Sequence, residues 1–175
     1  MQIKSKNKTI LITGGCGFIG SHLSLLLKKK NFRVIVIDNL SIGKKLLFKG
    51  DRFYKADISK KNQLEKVFKE NNIFAIFHLA GLSKLTESFK KKKSYKINNI
   101  KGTQNIIEIA KKYKIRYLIF SSSASVYGKQ KKFPISENSP LKPISYYGKT
   151  KLISENLIKN NFSKGSFKSI CLRYF

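Results

Sequence analysis

The chain has 175 residues, 41% hydrophobic and 12% aromatic, which suits one domain with a buried core and excludes a disordered polybasic tail. Its 37 Lys and Arg against 9 Asp and Glu give a formal charge of +28, a balance that favours anionic partners: nucleic acid, an anionic membrane or small anionic ligands. Cys16 and Cys171 stand far apart in no metal-ligand spacing, so they read as reduced, buried thiols with no metal site, as in a cytoplasmic protein.

Lys4, Lys6 and Lys8 ahead of an apolar stretch imitate a secretory leader, but the glycines and the Ser21-His22 pair inside that stretch read as strand, turn and helix. Residues 9–13 (Thr-Ile-Leu-Ile-Thr) predict a strand buried on both faces of a parallel sheet. Residues 18–30 then predict a helix with Leu23, Leu26 and Leu27 on one stripe, and Lys28, Lys29 and Lys30 in its last turn, where cations suit the dipole. A second strand covers 33–38 and a short third 53–55; a helix over 60–70 carries Leu64, Val67 and Phe68. A strand over 74–79 precedes the run Lys90 to Lys93, placed in a loop or leading into the long helix predicted over 95–113. The last elements are a strand over 116–121, a loop holding Pro134, Pro140 and Pro143, a helix over 147–160 and a strand over 170–174. Strands separated by helical segments mean βαβ units: an α/β fold with a doubly wound parallel sheet, one domain over 1–175. Right-handed crossovers put the C-terminal strand ends on one edge, where ligands bind. No run is long enough to span a bilayer.

Nearly all the positive charge is Lys, the arginines being Arg33, Arg52, Arg116 and Arg173. With Asn, Ile and Phe also abundant, the surplus reads as A+T-rich coding bias on a solvated surface, drawing nucleic acid only non-specifically; a dedicated polyanion-binding face is the alternative.

Thr13-Gly14-Gly15-Cys16-Gly17-Phe18-Ile19-Gly20 lies between a buried strand and a helix, the context in which a glycine turn seats a dinucleotide pyrophosphate on a helix N-terminus. Gly14 permits a backbone conformation closed to other residues, Gly17 admits the pyrophosphate to the main chain, and Gly20 lets the helix pack closely. Asp38 ends the second strand, where an acid bonds the adenosine ribose hydroxyls and repels a 2′-phosphate, favouring NAD over NADP. Asp57 either reaches the adenine or caps the helix that starts near Ser59. Tyr147 and Lys151 share a helix face at i, i+4, a phenol beside an ammonium, which is a general-base arrangement; Tyr146 pairs instead with Thr150, and Lys149 points away. Ser121, Ser122, Ser123 and Ser125 cluster at the same sheet edge as the glycine turn, either binding a reacting hydroxyl or satisfying their own backbone. His78 and His22, with no partner acid in spacing, read as structural.

These motifs in this order resemble the extended short-chain dehydrogenase/reductases, and among them the UDP-glucose 4-epimerases. The likeness runs from Lys8 to Phe175 and includes His78-Leu79-Ala80-Gly81-Leu82, Asn98-Asn99 with Gly102-Thr103, Val126-Tyr127-Gly128 and Leu172-Arg173-Tyr174-Phe175. The resemblance implies a Rossmann-type domain and resident NAD bordered by Gly14, Gly17, Phe18, Ile19, Gly20, Asp38, Asn39, Asp57, Ile58, Leu79, Ala80, Gly81, Asn98, Asn99, Lys151 and Phe175. It implies Tyr147 as base, Lys151 as its orienting partner and Ser123 as the hydroxyl that assists them. It also implies exchange of UDP-glucose and UDP-galactose through a 4-keto sugar, and a dimer seam made by the helices from Tyr95 and Tyr147. Ser83 stands where these epimerases often carry a lysine, and Tyr146 where a proline is usual. Ala124 and Ser125 after Ser123 lack the acid pair of a 4,6-dehydratase, while a uronate epimerase stays open. The alternative from another class is a non-catalytic NAD- or polyanion-binding module. Since the family continues past the position of Phe175 into a substrate-binding region, the expectation is the N-terminal part of a longer protein, with NAD binding but little turnover alone.

Overall fold

The computed structural model describes residues 8–162 and 167–175. Six strands form one parallel sheet in the order β3-β2-β1-β4-β5-β6. In chain order the elements are β1 (Thr9–Thr13), α1 (Phe18–Lys29), β2 (Arg33–Asp38), β3 (Arg52–Lys55), α2 (Lys61–Glu70) and β4 (Ile73–His78). They continue with α3 (Leu85–Lys90), α4 (Lys92–Tyr95), a π-helical turn (Lys96–Lys101), α5 (Gly102–Lys112), β5 (Tyr117–Ser123), α6 (Tyr146–Phe162) and β6 (Lys168–Tyr174). The chain runs outward from β1 through β2 to β3 and then returns to lay β4 on the other side of β1. That reversal opens a crevice between the C-terminal ends of β1 and β4, where doubly wound sheets bind ligands.

Every residue of β1 is buried, as an apolar run in a central parallel strand requires. Alternation divides the core by parity. Leu11, Ile35, Ile37, Ile76 and Leu118 face one layer with Leu64, Val67, Ile106, Ile109 and Ile158 of α2, α5 and α6. Ile10, Ile12, Val34 and Val36 face the other, against Leu23 and Leu27 of α1. This is the predicted α/β, doubly wound arrangement.

Three local expectations change. Leu26 is 54% exposed, because α1 meets the sheet through Gly20, Ser21 and Ser24, small residues that bring its axis close and turn Leu26 outward. The long helix predicted over 95–113 starts at Lys92, so the lysine run leads into it, and it holds the π turn; α3 ahead of it has no counterpart among the predicted elements. β5 runs two residues past its predicted end, to Ser123, so Ser121, Ser122 and Ser123 belong to the strand and Ser125 to the 3-10 turn that follows. No helix among the described residues is long and apolar enough to cross a membrane. Both cysteines are free thiols, Cys16 buried and Cys171 half-buried.

Candidate active site

A cleft of about 570 Å³ opens over the C-terminal ends of β1, β2, β4 and β5. Its floor is the glycine turn. Gly14 takes φ of +72°, and a Cβ there would stand 2.8 Å from the Ala80 backbone, so only glycine serves. A Cβ on Gly20 would meet the Gly14 carbonyl oxygen at 2.4 Å, which is how α1 begins flush against the turn. Gly17 occupies the N-cap of α1; no side chain caps that end and its first turn holds no acid, so the leading N–H groups are left for an anion.

Asp38 forms the adenosine side of the cleft. Its carboxylate is held by the main chain, Oδ2 accepting from Cys16 N–H at 3.0 Å and Oδ1 from Leu40 N–H at 2.8 Å. Each oxygen keeps a lone pair, and the site keeps a fixed negative charge that fits ribose hydroxyls and opposes a 2′-phosphate. Phe18, Ile19, Asn39, Ile58, Leu79, Ala80, Gly81 and Phe175 join the lining; so do Ser41, Ile42 and Gly43, which the sequence pattern did not single out. Asp57 lies outside it. Its Oδ1 accepts from Ser59 N–H at 2.8 Å and its Oδ2 from the Asn39 amide at 3.3 Å, so it closes the turn ahead of α2 and does not cap that helix, whose N-cap is Lys60. Burial pushes the Asp57 carboxyl up, but those bonds outweigh it and hold its pKa below the usual value.

At the far end α6 lays Tyr147 and Lys151 over the serine strand. Tyr147 is 8% exposed and Lys151 4%, and both line the cleft with Ser121, Ser122, Ser123 and Ser125. Lys151 Nζ donates to the Ser121 carbonyl at 2.8 Å and stands 5.8 Å from the Tyr147 ring centre. Burial pushes the Lys151 ammonium down to about 8, against the pull of Glu155 in the other direction. Burial also pushes the Tyr147 phenol above its usual 10, and the Ser123 hydroxyl works against that rise. Ser123 Oγ also accepts from Ser125 N–H at 3.1 Å, which fixes the hydroxyl at the strand end. Tyr146 begins the helix, and Lys149 is exposed on its outer side.

The two asparagines part company. Asn98 lines the cleft, and its Oδ1 is buried with no partner. Asn99 lies outside the lining: its Oδ1 accepts from Leu82 N–H at 2.9 Å and its Nδ2 donates to the Leu82 carbonyl and to Thr150 Oγ1, each at 3.0 Å. His78 is structural, as read from sequence. Thr103 spends its hydroxyl proton on the Asn99 carbonyl and so accepts from His78 Nε2, leaving Nδ1 to accept from Thr13. Burial, with Lys151 nearby, pushes this imidazole down to about 3. Ser83 lines the cleft, whereas Lys84 is exposed at the start of α3.

A bare glycine cradle, an acid fixed by amides and an orphaned amide oxygen together fit a dinucleotide along the switch point. Fold and side-chain placement thus define a doubly wound nucleotide-binding protein whose cleft ends at Tyr147, Lys151 and the serine strand. The chain belongs to the NAD dependent epimerase/dehydratase family, which it matches over residues 10–175. It is 41% identical to UDP-glucose 4-epimerase 2 of Oryza sativa subsp. japonica over 96% of this chain and 44% of that protein. It is also 41% identical to UDP-glucose 4-epimerase uge1 of Schizosaccharomyces pombe over 95% of this chain and 51% of that one. Among solved structures, UDP-glucose 4-epimerase from Brucella ovis in complex with NAD superposes with a TM-score of 0.93 at 33% identity, covering 96% of this chain and 52% of that one. The Thermotoga maritima enzyme with UDP-glucose gives 0.92 at 34% identity, covering 95% and 55%. The chain spans about half the length of these relatives.

Proposed function

We propose that this chain binds NAD in the cleft and serves an NAD-dependent nucleotide-sugar 4-epimerase that interconverts UDP-glucose and UDP-galactose. The observation that carries the reading is the Tyr147–Lys151 face of α6 set over Ser121 to Ser123 at the end of a glycine-floored cleft. The glycine turn and the N-terminus of α1 hold the pyrophosphate, Asp38 the adenosine ribose, and Lys151 and Asn98 the nicotinamide end. NAD bound there supplies a reversible hydride acceptor. Tyr147 takes the proton of the sugar O4 hydroxyl, and Ser123 hydrogen-bonds the same oxygen as it becomes a carbonyl. Lys151 is the cation beside the phenol, which offsets what burial does to it. In the reverse direction the Tyr147 phenol would give the proton back to the same sugar oxygen, so the residues finish the cycle in the state in which they began.

The surroundings are consistent with a cytoplasmic protein with free thiols. Two copies pair through Phe89, Ile97 and Ile153, exposed apolar residues of α3, the π turn and α6. The domain over 1–175 carries the cofactor, and the part of the relatives beyond this span carries most of the grip on the nucleotide sugar.

Calorimetric titration of the 175-residue chain with NAD tests the first half. The wild type binds, and Gly20→Val, whose side chain has no room beside the Gly14 carbonyl, does not. The second half is read in the protein carrying the substrate region. There Tyr147→Phe lowers UDP-galactose to UDP-glucose conversion by roughly 10²–10⁴-fold. Conversion that survives Tyr147→Phe removes the phenol from the reaction.

A further inference from the structure

One charged group beside the site has no part in the reading above. Glu155 lies on α6 one turn past Lys151 and two past Tyr147, so the three side chains form one stripe. Its side chain is 8% exposed. The Ser122 hydroxyl donates to Oε1 in a short bond. Arg173 donates to both oxygens as a fork, Nε to Oε1 at 3.0 Å and Nη2 to Oε2 at 2.8 Å. The remaining Arg173 nitrogen, Nη1, donates to the Tyr127 hydroxyl at 2.9 Å and the Glu137 carbonyl at 3.2 Å. Arg173 stands directly opposite Ser122 where β6 pairs with β5.

Two successive residues of β5 therefore each hold one member of the α6 stripe, the Ser121 carbonyl taking Lys151 and the Ser122 hydroxyl gripping Glu155, while the Ser123 hydroxyl beside them works to lower the Tyr147 phenol. Burying a carboxylate and a guanidinium is costly, and a well-packed apolar pair of the same volume is often as stable or more so. Stability alone thus gives little reason for a charge at 155. An apolar pair cannot put a negative charge one turn from a buried ammonium. The groups around Lys151 are Tyr147 and Glu155 on α6, the serine edge of β5, the neutral imidazole of His78 on β4, and the Phe120 ring 4.8 Å away. Glu155 is the one anion among them, with Arg173 behind it.

We propose that Glu155 is a positioning residue of the candidate site: gripped by Ser122 and Arg173, its carboxylate locks the Tyr147–Lys151 face onto the serine strand and supplies the counter-charge that keeps Lys151 an ammonium. Its importance for chemistry rests on the epimerase reading; the electrostatic relation does not.

The test follows the Lys151 side chain by NMR in the 175-residue chain with ¹³C- and ¹⁵N-labelled lysine, its signal identified by its loss in Lys151→Met. Glu155→Gln moves the Lys151 titration midpoint down by about one unit or more, and Glu155→Asp restores part of the shift. Arg173→Gln moves it up, because the carboxylate then acts on Lys151 unopposed. A midpoint indifferent to Glu155→Gln, or shifts of the same sign in Glu155→Gln and Arg173→Gln, would overturn the proposal. Loss of the fold in both variants overturns it too, since the pair is then simply structural. NAD titration of the wild type is read separately. Opposite shifts in a chain that does not bind NAD sink the functional reading and leave the Glu155–Lys151 relation standing.

Discussion

Lys151 is the side chain at which function and stability pull apart. An ammonium 4% exposed, with its pKa pushed from 10.5 down to about 8, is a strained charge in the folded chain. Between those two values the unfolded chain holds the proton more firmly than the folded one, so stability rises with pH across that window. The displacement amounts to about 3 kcal/mol at neutral pH. Lys151→Met should therefore melt later than the wild type at pH 7 by several degrees and lose the extra gain seen on raising pH from 8 to 9. Cys171 narrows the useful window. Burial pushes its thiol up to about 12 from 9.0, so above pH 9 the unfolded thiol ionises first and stability falls. The difference in slope between the wild type and Lys151→Met from pH 8 to 9 is the part owed to Lys151. Thermal melts of the two proteins across pH 7 to 9 check this, and a Lys151→Met protein that melts earlier at pH 7 shows that the ammonium's hydrogen bond outweighs its desolvation. His78 acts at the acid end: its imidazole resists protonation to about 3 while the unfolded one charges near 6.5, so stability is lost as pH falls below 6.5.

Among the elements, the π turn between α4 and α5 sorts two adjacent asparagines into different tasks. The widened turn sends Asn98 into the cleft and Asn99 into a brace between the Leu82 main chain and Thr150, the residue before Lys151. Asn99→Leu leaves the Leu82 N–H and C=O unpaired and costs about 2–4 kcal/mol, with faster hydrogen exchange at Leu82. Asn98→Ala removes an oxygen that already lacks a partner, so its melting temperature stays near that of the wild type while NAD affinity falls. Equal losses of stability in the two variants would dissolve the distinction. A uniform helical period over 95–113 could not have separated them, because the insertion that breaks the period leaves no mark in the local pattern. The glycine turn and the Tyr147–Lys151 pair were legible for the opposite reason. Gly14 and Gly20 answer to backbone contacts that forbid a side chain, and i, i+4 spacing survives anywhere in a regular helix. The Glu155–Arg173 fork was hidden because it depends on the pairing of β6 with β5, a register set by packing between distant parts of the chain. Leu26 misled because α1 docks through small residues that hydropathy does not flag.

For the molecule as a whole, the surplus of positive charge is a standing strain. Most acids are already paired: Asp51 with Lys28, Glu70 with Arg52, Glu108 with Lys61, Glu87 with Lys91 and Glu65 with Lys112, all largely at the surface, and Glu155 with Arg173 inside. Exposed pairs contribute little. With 37 basic side chains against 9 acidic ones, the cations far outnumber the acids that could pair with them. Screening then works in two directions, weakening the surface pairs and relieving the repulsion, and the counts decide for relief. Raising ionic strength from about 0.01 M to 0.15 M shortens the screening length from roughly 30 to 8 Å, which leaves contact pairs largely intact and removes the long-range repulsion. The melting temperature should rise over that range by roughly 3–6 °C, equivalent to about 1–2 kcal/mol for a chain of this size. A melting temperature that falls with added salt would mean that the ion pairs, few as they are, outweigh the repulsion. The same field draws polyphosphate ligands towards the cleft, so NAD affinity should weaken over the salt range in which the fold strengthens. That opposition separates the charge from the fold: an apolar contribution would move both in the same direction.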